Sequence, residues 1–254
     1  MKIKPGTIWK LGDHILGCGS SLDHTFVEKV AKHTDRIRMI LTDPPYGVAY
    51  VEGKADFAKL AAEKDNGGAR AIVGDQLQTE EEYEAFTKDW LSAITPHLES
   101  YNTAYIFNSD LMYCALRRGM IAAGLYYSQQ LIWVKNSVVV GRKDYLPQHE
   151  VIAYGWFGRH KMERPKAKSV LFYPKPSRSK LHPTMKPIGL LRMILPNNTK
   201  TGEWVYDPYG GSGSTLIACE HMQRRCMMIE LDPQYCATII ARWEKLTGGK
   251  AKQV

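Results

Sequence analysis

Residues Trp204–Glu220 read WVYDPYGGSGSTLIACE, and Cys226–Pro233 follow as CMMIELDP. The first stretch opens as a short apolar run, stops at Asp207 and turns through Gly210-Gly211-Ser212-Gly213. It then resumes as the start of a helix. A strand, a glycine-rich turn and a helix form a nucleotide-binding arrangement, because absent Cβ atoms let a ligand lie against backbone at a positive helix terminus. The second stretch reads as the next strand and ends in Glu230, 23 residues beyond Asp207. That is close to the roughly 20 expected of an acid that binds ribose hydroxyls. The turn does not spell G-x-G-x-x-G and carries no phosphate-binding lysine, which favours an adenosine cofactor without phosphates. S-adenosylmethionine fits: its ribose can meet Glu230 and its methionine portion can lie over the glycines. The plain alternative, a turn acid at Asp207 and a helix cap at Glu230, leaves the joint spacing unexplained.

An earlier stretch, Arg38–Tyr50, RMILTDPPYGVAY, also ends an apolar run at an acid. Proline fixes its own φ and restrains the residue before it, so Asp43-Pro44-Pro45 is held extended. The Asp43 carboxylate and the Pro44 carbonyl then form a pair of fixed acceptors, suited to a donor with two hydrogens, an amino group. Tyr46 adds a flat face on which a planar ring can stack. Asp43, Pro44, Pro45 and Tyr46 are therefore the candidate catalytic residues. A carboxylate buried without a task costs free energy, which disfavours a plain proline turn.

Between and around these motifs, short apolar runs alternate with amphipathic stretches, the pattern of an α/β protein with a mostly parallel sheet covered by helices. Strands are predicted at Met39–Thr42, Ala104–Asn108, Gln130–Lys135, Val151–Tyr154, Trp204–Tyr206 and Cys226–Leu231. Helices are predicted at Glu80–Ile94, Leu111–Ala123, Pro187–Leu195, Ser214–Met222 and Pro233–Thr247, the first opened by a Thr79/Glu82 capping box. In an open sheet of this kind ligands sit outside the carboxyl ends of the strands, so the two acid-terminated strands can flank one crevice. The 254 residues read as a single domain, 1–254, with a mobile loop at 47–78 and a small basic insert at 157–181.

The net charge of +8 has one source. Phe157–Lys186 holds nine Lys/Arg against the single acid Glu163, and the remainder of the chain balances to zero. Such a block, interleaved with Phe172, Tyr173 and prolines, reads as a nucleic-acid contact loop, because cations that neutralise phosphates release counterions. Arg159, Lys161, Arg164, Lys166, Lys168, Lys175, Arg178 and Lys180 are its candidate DNA-binding residues. Five cysteines, odd in number and without C-x-x-C spacing, argue against a disulfide framework and against a structural zinc site. No window approaches the roughly 18 apolar residues of a membrane span, and the first residues lack the apolar segment of a signal peptide, so a cytoplasmic protein with no membrane partner is expected. His149-Glu150 superficially suggests a zinc protease, but no second histidine follows at helical spacing; it reads as a satisfied polar pair at a strand edge. Trp133, Tyr154 and Trp156 read as core or pocket wall.

In this order, TDPPYG, LIWVKNSVVVGRKDYLPQHEVIAYGW, HPTMKP (182–187), DPYGGSGSTLIA and CMMIELDP resemble a DNA amino-methyltransferase of the β class, over nearly the whole chain. The resemblance implies a Rossmann-like S-adenosylmethionine-dependent methyltransferase fold with circularly permuted motif order, the catalytic segment preceding the cofactor segment. It implies cofactor contacts from Asp207, Tyr209, Gly211, Ser212, Gly213, Glu230 and Asp232, with His182, Thr184 and Lys186 closing the same pocket. It also makes the basic insert a target-recognition element. HILGCGSSLD resembles a family segment that usually carries Asp after Cys-Gly, where it helps bind the cofactor adenine; here Ser20 stands in that place.

The expected reaction is sequence-specific methylation of adenine N6 in double-stranded DNA, of bacterial, phage or plasmid origin. The target nucleotide must leave the stack at a cost of a few kcal/mol before direct in-line transfer. Within the resembled family an aspartate at the first motif position more often accompanies adenine and a serine cytosine-N4, so Asp43 favours adenine. The alternatives are cytosine-N4 methylation, a DNA-binding protein that no longer methylates, and methylation of a protein glutamine, which would usually show Asn at position 43. The recognition sequence, a restriction enzyme partner and the choice between monomer and homodimer are left open.

Overall fold

The structure is a computed structural model that describes residues 2–48, 77–138, 144–175 and 185–254. Most of the loop expected at 47–78, and Arg178, Lys180, His182 and Thr184, lie outside the described residues. In chain order the elements are β1 (Ile8–Leu11), β2 (His14–Cys18), α1 (His24–Ala31), β3 (Ile37–Thr42), α2 (Glu80–Ile94) and β4 (Leu98–Asn108). These are followed by α3 (Tyr113–Ala122), β5 (Leu125–Val134), β6 (His149–Phe157), β7 (Val170–Phe172) and α4 (Ile188–Asn198). The last elements are β8 (Trp204–Asp207), α5 (Ser214–His221), β9 (Arg225–Glu230), α6 (Pro233–Thr247) and β10 (Lys252–Gln253).

One sheet runs through the described residues in the order β10-β1-β2-β9-β8-β3-β4-β6-β5-β7. Its centre, β2-β9-β8-β3-β4, is parallel throughout. β6 lies antiparallel between β4 and β5. Central strands of such a sheet are covered on both faces, which is why they read as continuous apolar runs rather than alternating ones. In β9, Cys226 and Met228 join one core with α4, α5 and α6, while Met227 and Ile229 join a second core with α1, α2 and α3.

Three of the helices start where a side chain satisfies free backbone amides. The Thr79/Glu82 box caps α2, Asp23 accepts from Phe26 N at α1, and Asp232 accepts from Gln234 N at α6, which ends at Gly248 with φ 74°. All six predicted strands and five predicted helices are present, with shifted ends in most. β1, β2, β7, β10 and α1 were not anticipated. They are short, and two of the strand pairings that hold them are distant in sequence, β2 on β9 and β10 on β1.

The topology places the site. From β3 the chain crosses to β4 on one side, and from β8 it crosses to β9 on the other, although β3 and β8 are neighbours. Strand order therefore reverses between the strand that leads into Asp43 and the strand that ends at Asp207, the position where open α/β sheets form a ligand crevice.

Candidate active site

The two strand ends are joined directly: the Thr42 hydroxyl donates to Asp207 Oδ1 at 2.7 Å. Asp207 also accepts from Tyr209 N at 3.1 Å. Burial nevertheless pushes its carboxyl up to about 7, against those bonds and one from Thr215.

Beyond β3, Asp43 is held from two sides. The Tyr46 hydroxyl donates to Oδ1 at 2.6 Å and the Lys186 ammonium to Oδ2 at 2.6 Å. Lys186 Nζ also lies 3.2 Å from the Tyr46 oxygen and 3.1 Å from Glu150 Oε2, and Glu150 Oε1 meets Lys135 Nζ at 2.7 Å. The Lys186 and Lys135 side chains are only 7% and 4% exposed. Two carboxylates, 22% exposed at Asp43 and 20% at Glu150, and two buried ammonium groups thus form one cluster of alternating charge. Burial pushes the Asp43 carboxyl above its ordinary range despite Lys186, with Glu150 adding to the rise. Burial would raise Glu150 as well, but its two lysines bring it down to about 2. Against burial, Asp43 and Glu150 hold the Lys186 ammonium above its ordinary value.

Lys186, expected among the cofactor residues, donates to the carboxylate of Asp43, a candidate catalytic residue. Glu150, expected as a bland polar pair with His149 at a strand edge, sits on an interior strand and faces Asp43 through Lys186. Lys135, just past β5, was not anticipated. The register brings it near: Trp133 of β5 lies opposite Glu150 of β6, and Lys135 follows two residues on.

The glycine turn leads from β8 into α5, and β9 lies beside it. Gly211 N donates to Glu230 Oε2 at 2.7 Å and Asp232 N to Oε1 at 2.8 Å. A carboxylate can accept more bonds than the backbone of Gly211, Leu231 and Asp232 supplies, and burial raises the Glu230 carboxyl to about 7 despite them. Gly211 (φ 51°) and Gly213 (φ 84°) adopt left-handed backbone. At Gly213 the missing Cβ faces Ile239 of α6 at 3.0 Å, so glycine serves its backbone angle and helix packing rather than ligand room. Ser212 is buried and fastened to α6 by Arg242, which donates to its carbonyl and, at 3.1 Å, to its hydroxyl. Tyr209 packs 5.8 Å from both Phe86 and Trp90 of α2. Ser20 follows β2 next to this corner: Gly19 N donates to the Glu230 carbonyl at 2.9 Å, and Ser20 Oγ accepts from Leu22 N at 3.2 Å.

An adenosine-type cofactor suits this corner. A buried carboxylate with spare acceptor capacity stands beside a left-handed glycine at a helix start. The Ser214 hydroxyl, first in α5, is buried with no hydrogen-bond partner among the described residues.

The basic stretch is divided by strand direction. β6 begins at Glu150's end of the sheet and its nine residues run about 30 Å to the opposite end. Arg159, Lys161 and Arg164 are exposed there, near the carboxyl end of α4, with Arg164 N bonded to Asn197 O. Lys166 and Lys168 are exposed on the way back. Lys175, past β7, returns to the end of the sheet that carries Asp43 and Glu150, its N donating to Asn136 Oδ1 at 2.9 Å. A single contact loop is therefore not what the described part of 157–181 forms. Trp133 and Tyr154 are buried in the core, and Trp156 stacks on His160 at 4.2 Å.

A mostly parallel α/β sheet with a glycine turn after one central strand, and D-P-P-Y after the strand beside it, defines a Rossmann-like methyltransferase. Solved structures of that class superpose on the chain. The cytosine-N4-specific PvuII DNA methyltransferase does so with TM-score 0.70 at 16% identity, over 94% of this chain and 92% of that one. The M1.HpyAVI–SAM complex gives 0.63 at 19%, over 89% and 98%. More narrowly, residues 37–241 match the family model of N6/N4 DNA methylases, and the chain belongs to that family. The Type II methyltransferase M.HpaI of Haemophilus parainfluenzae is 24% identical over 230 residues, 78% of this chain, which spans 65% of that relative's length. Among the described residues no helix is long and apolar enough to cross a membrane.

Proposed function

We propose that this protein transfers a methyl group from S-adenosylmethionine to an exocyclic amino group of double-stranded DNA, with adenine N6 as the target. The observation that carries the reading is the switch-point crevice, where Asp43 and Asp207 end neighbouring strands and Thr42 links them at 2.7 Å. Glu230, Gly211 and Asp207 would hold the cofactor, which supplies an electrophilic methyl group. Asp43 and the Pro44 carbonyl orient the amino nitrogen by accepting its hydrogens, and Tyr46 offers its ring to the extruded base. Alignment and fixed charge, rather than a covalent intermediate, carry such a transfer. Asp43 favours adenine; cytosine-N4 is the second reading, supported by the fold shared with the N4-specific PvuII enzyme. DNA incubated with protein and methyl-labelled cofactor, then digested to nucleosides, should yield labelled N6-methyladenine. Label in N4-methylcytosine would move the target to cytosine, and no label in any DNA would reject the reading.

A further inference from the structure

Glu150, anchored by Lys135, bears on how Asp43 becomes free for a substrate. Both Asp43 oxygens already accept from the protein, Oδ1 from Tyr46 and Oδ2 from Lys186. A target amino group arriving there meets an ammonium in its seat. As its nitrogen takes the methyl group it gains positive charge, and a lysine ammonium still bonded to Asp43 would oppose that charge within a few ångströms. Lys186 therefore has to leave Asp43 without becoming an unpaired buried cation. Among the described residues the second carboxylate beside it is Glu150, whose Oε2 is already 3.1 Å from Nζ. Glu150 is kept in place across the β5–β6 pairing by Lys135 at 2.7 Å.

We propose that Glu150 is a positioning residue that draws Lys186 away from Asp43 when the target amino group enters, so that the ligand-free contact of Lys186 with Asp43 marks the place of that amino group. The idea rests on the amino-methylation reading above. It adds a lysine that moves between two carboxylates, with charge kept balanced at each stage: Lys186 satisfies Asp43 in the free enzyme and Glu150 in the occupied one.

The test is single-turnover methylation of DNA at saturating cofactor. Glu150→Gln leaves Lys186 with Asp43 as its only carboxylate among the described residues and should slow transfer by roughly 10²-fold, with cofactor affinity within about twofold of wild type. Adding Lys186→Met to Glu150→Gln removes the blocking cation and should make the double variant faster than Glu150→Gln alone. A merely structural cluster predicts the reverse, a double variant at least as slow, and that result would overturn the proposal, as would wild-type speed in Glu150→Gln. Should Glu150→Gln fail to fold on a thermal melt, Glu150→Asp keeps the charge and should stay within about tenfold of wild type, whereas a loss as large as 10²-fold in that folded variant would count against it. No methyl transfer by the wild-type enzyme to any DNA is a separate outcome that rejects the amino-methylation reading itself and this inference with it.

Discussion

Burial should leave most Glu230 carboxyls protonated at pH 6. Burial lifts this group to about 7, although Gly211 N and Asp232 N both donate to it. Ribose hydroxyls need acceptors, so the cofactor selects the ionised form, and its apparent affinity should follow the ionised fraction. With a midpoint of about 7 that fraction is about 0.09 at pH 6 and about 0.9 at pH 8, so affinity should rise about tenfold between them. The sign follows from the raised value: binding releases a proton, and acid weakens it. Equilibrium dialysis of labelled cofactor against protein alone, with wild type and Glu230→Gln compared across the range, reads the effect. Titrations of the ligand, and of Asp207, also raised to about 7, are common to both proteins, so the tenfold change is the difference between the two profiles. Parallel profiles would refute the assignment of Glu230 as the ionised ribose acceptor.

Two further outcomes follow from other parts of the molecule. Arg38, buried near the start of β3, donates to the carbonyls of Asn198 and Tyr101 and to Glu163 at 3.3 Å. Arg38→Met should destabilise the fold by roughly 3–5 kcal/mol in urea titration, because carboxylate and carbonyl partners lose their buried cation; a loss below about 1 kcal/mol would show the cluster to be better solvated than its geometry indicates. For DNA, Lys175 lies at the Asp43 end of the sheet and Arg159 and Lys161 at the other, so Lys175→Gln should flatten the salt dependence of binding by about one counterion, whereas Arg159→Gln with Lys161→Gln should leave it unchanged. The opposite pattern in filter binding would place the duplex against the far end.

Much of the architecture was legible because it is local. The runs at Met39–Thr42 and Cys226–Leu231 declare buried strands by composition, and Thr79 with Glu82 declares a helix start within four residues. The hairpin of β1 and β2 escaped because its strands are short and its place in the sheet is set by β9, more than 200 residues away. For the site, D-P-P-Y and the glycine turn were visible as motifs whose backbone restrictions are written in proline and glycine. The role of Gly213 was not, since a missing Cβ does not reveal whether a ligand or Ile239 fills the space.

By itself the sequence determined which strands end in acids, what lies after each, and that the charge excess is confined to one stretch. Only the tertiary structure decided what those charges do. It turned β6 against β4, which carried Arg159 and Lys161 to the far end of the sheet. The same turn brought Glu150 to within 3.1 Å of Lys186 and set that lysine on Asp43. The physical reason is distance: a Coulomb interaction depends on separation in space, and residues 43, 135, 150 and 186 become neighbours only when strand order and direction are set by non-local pairing.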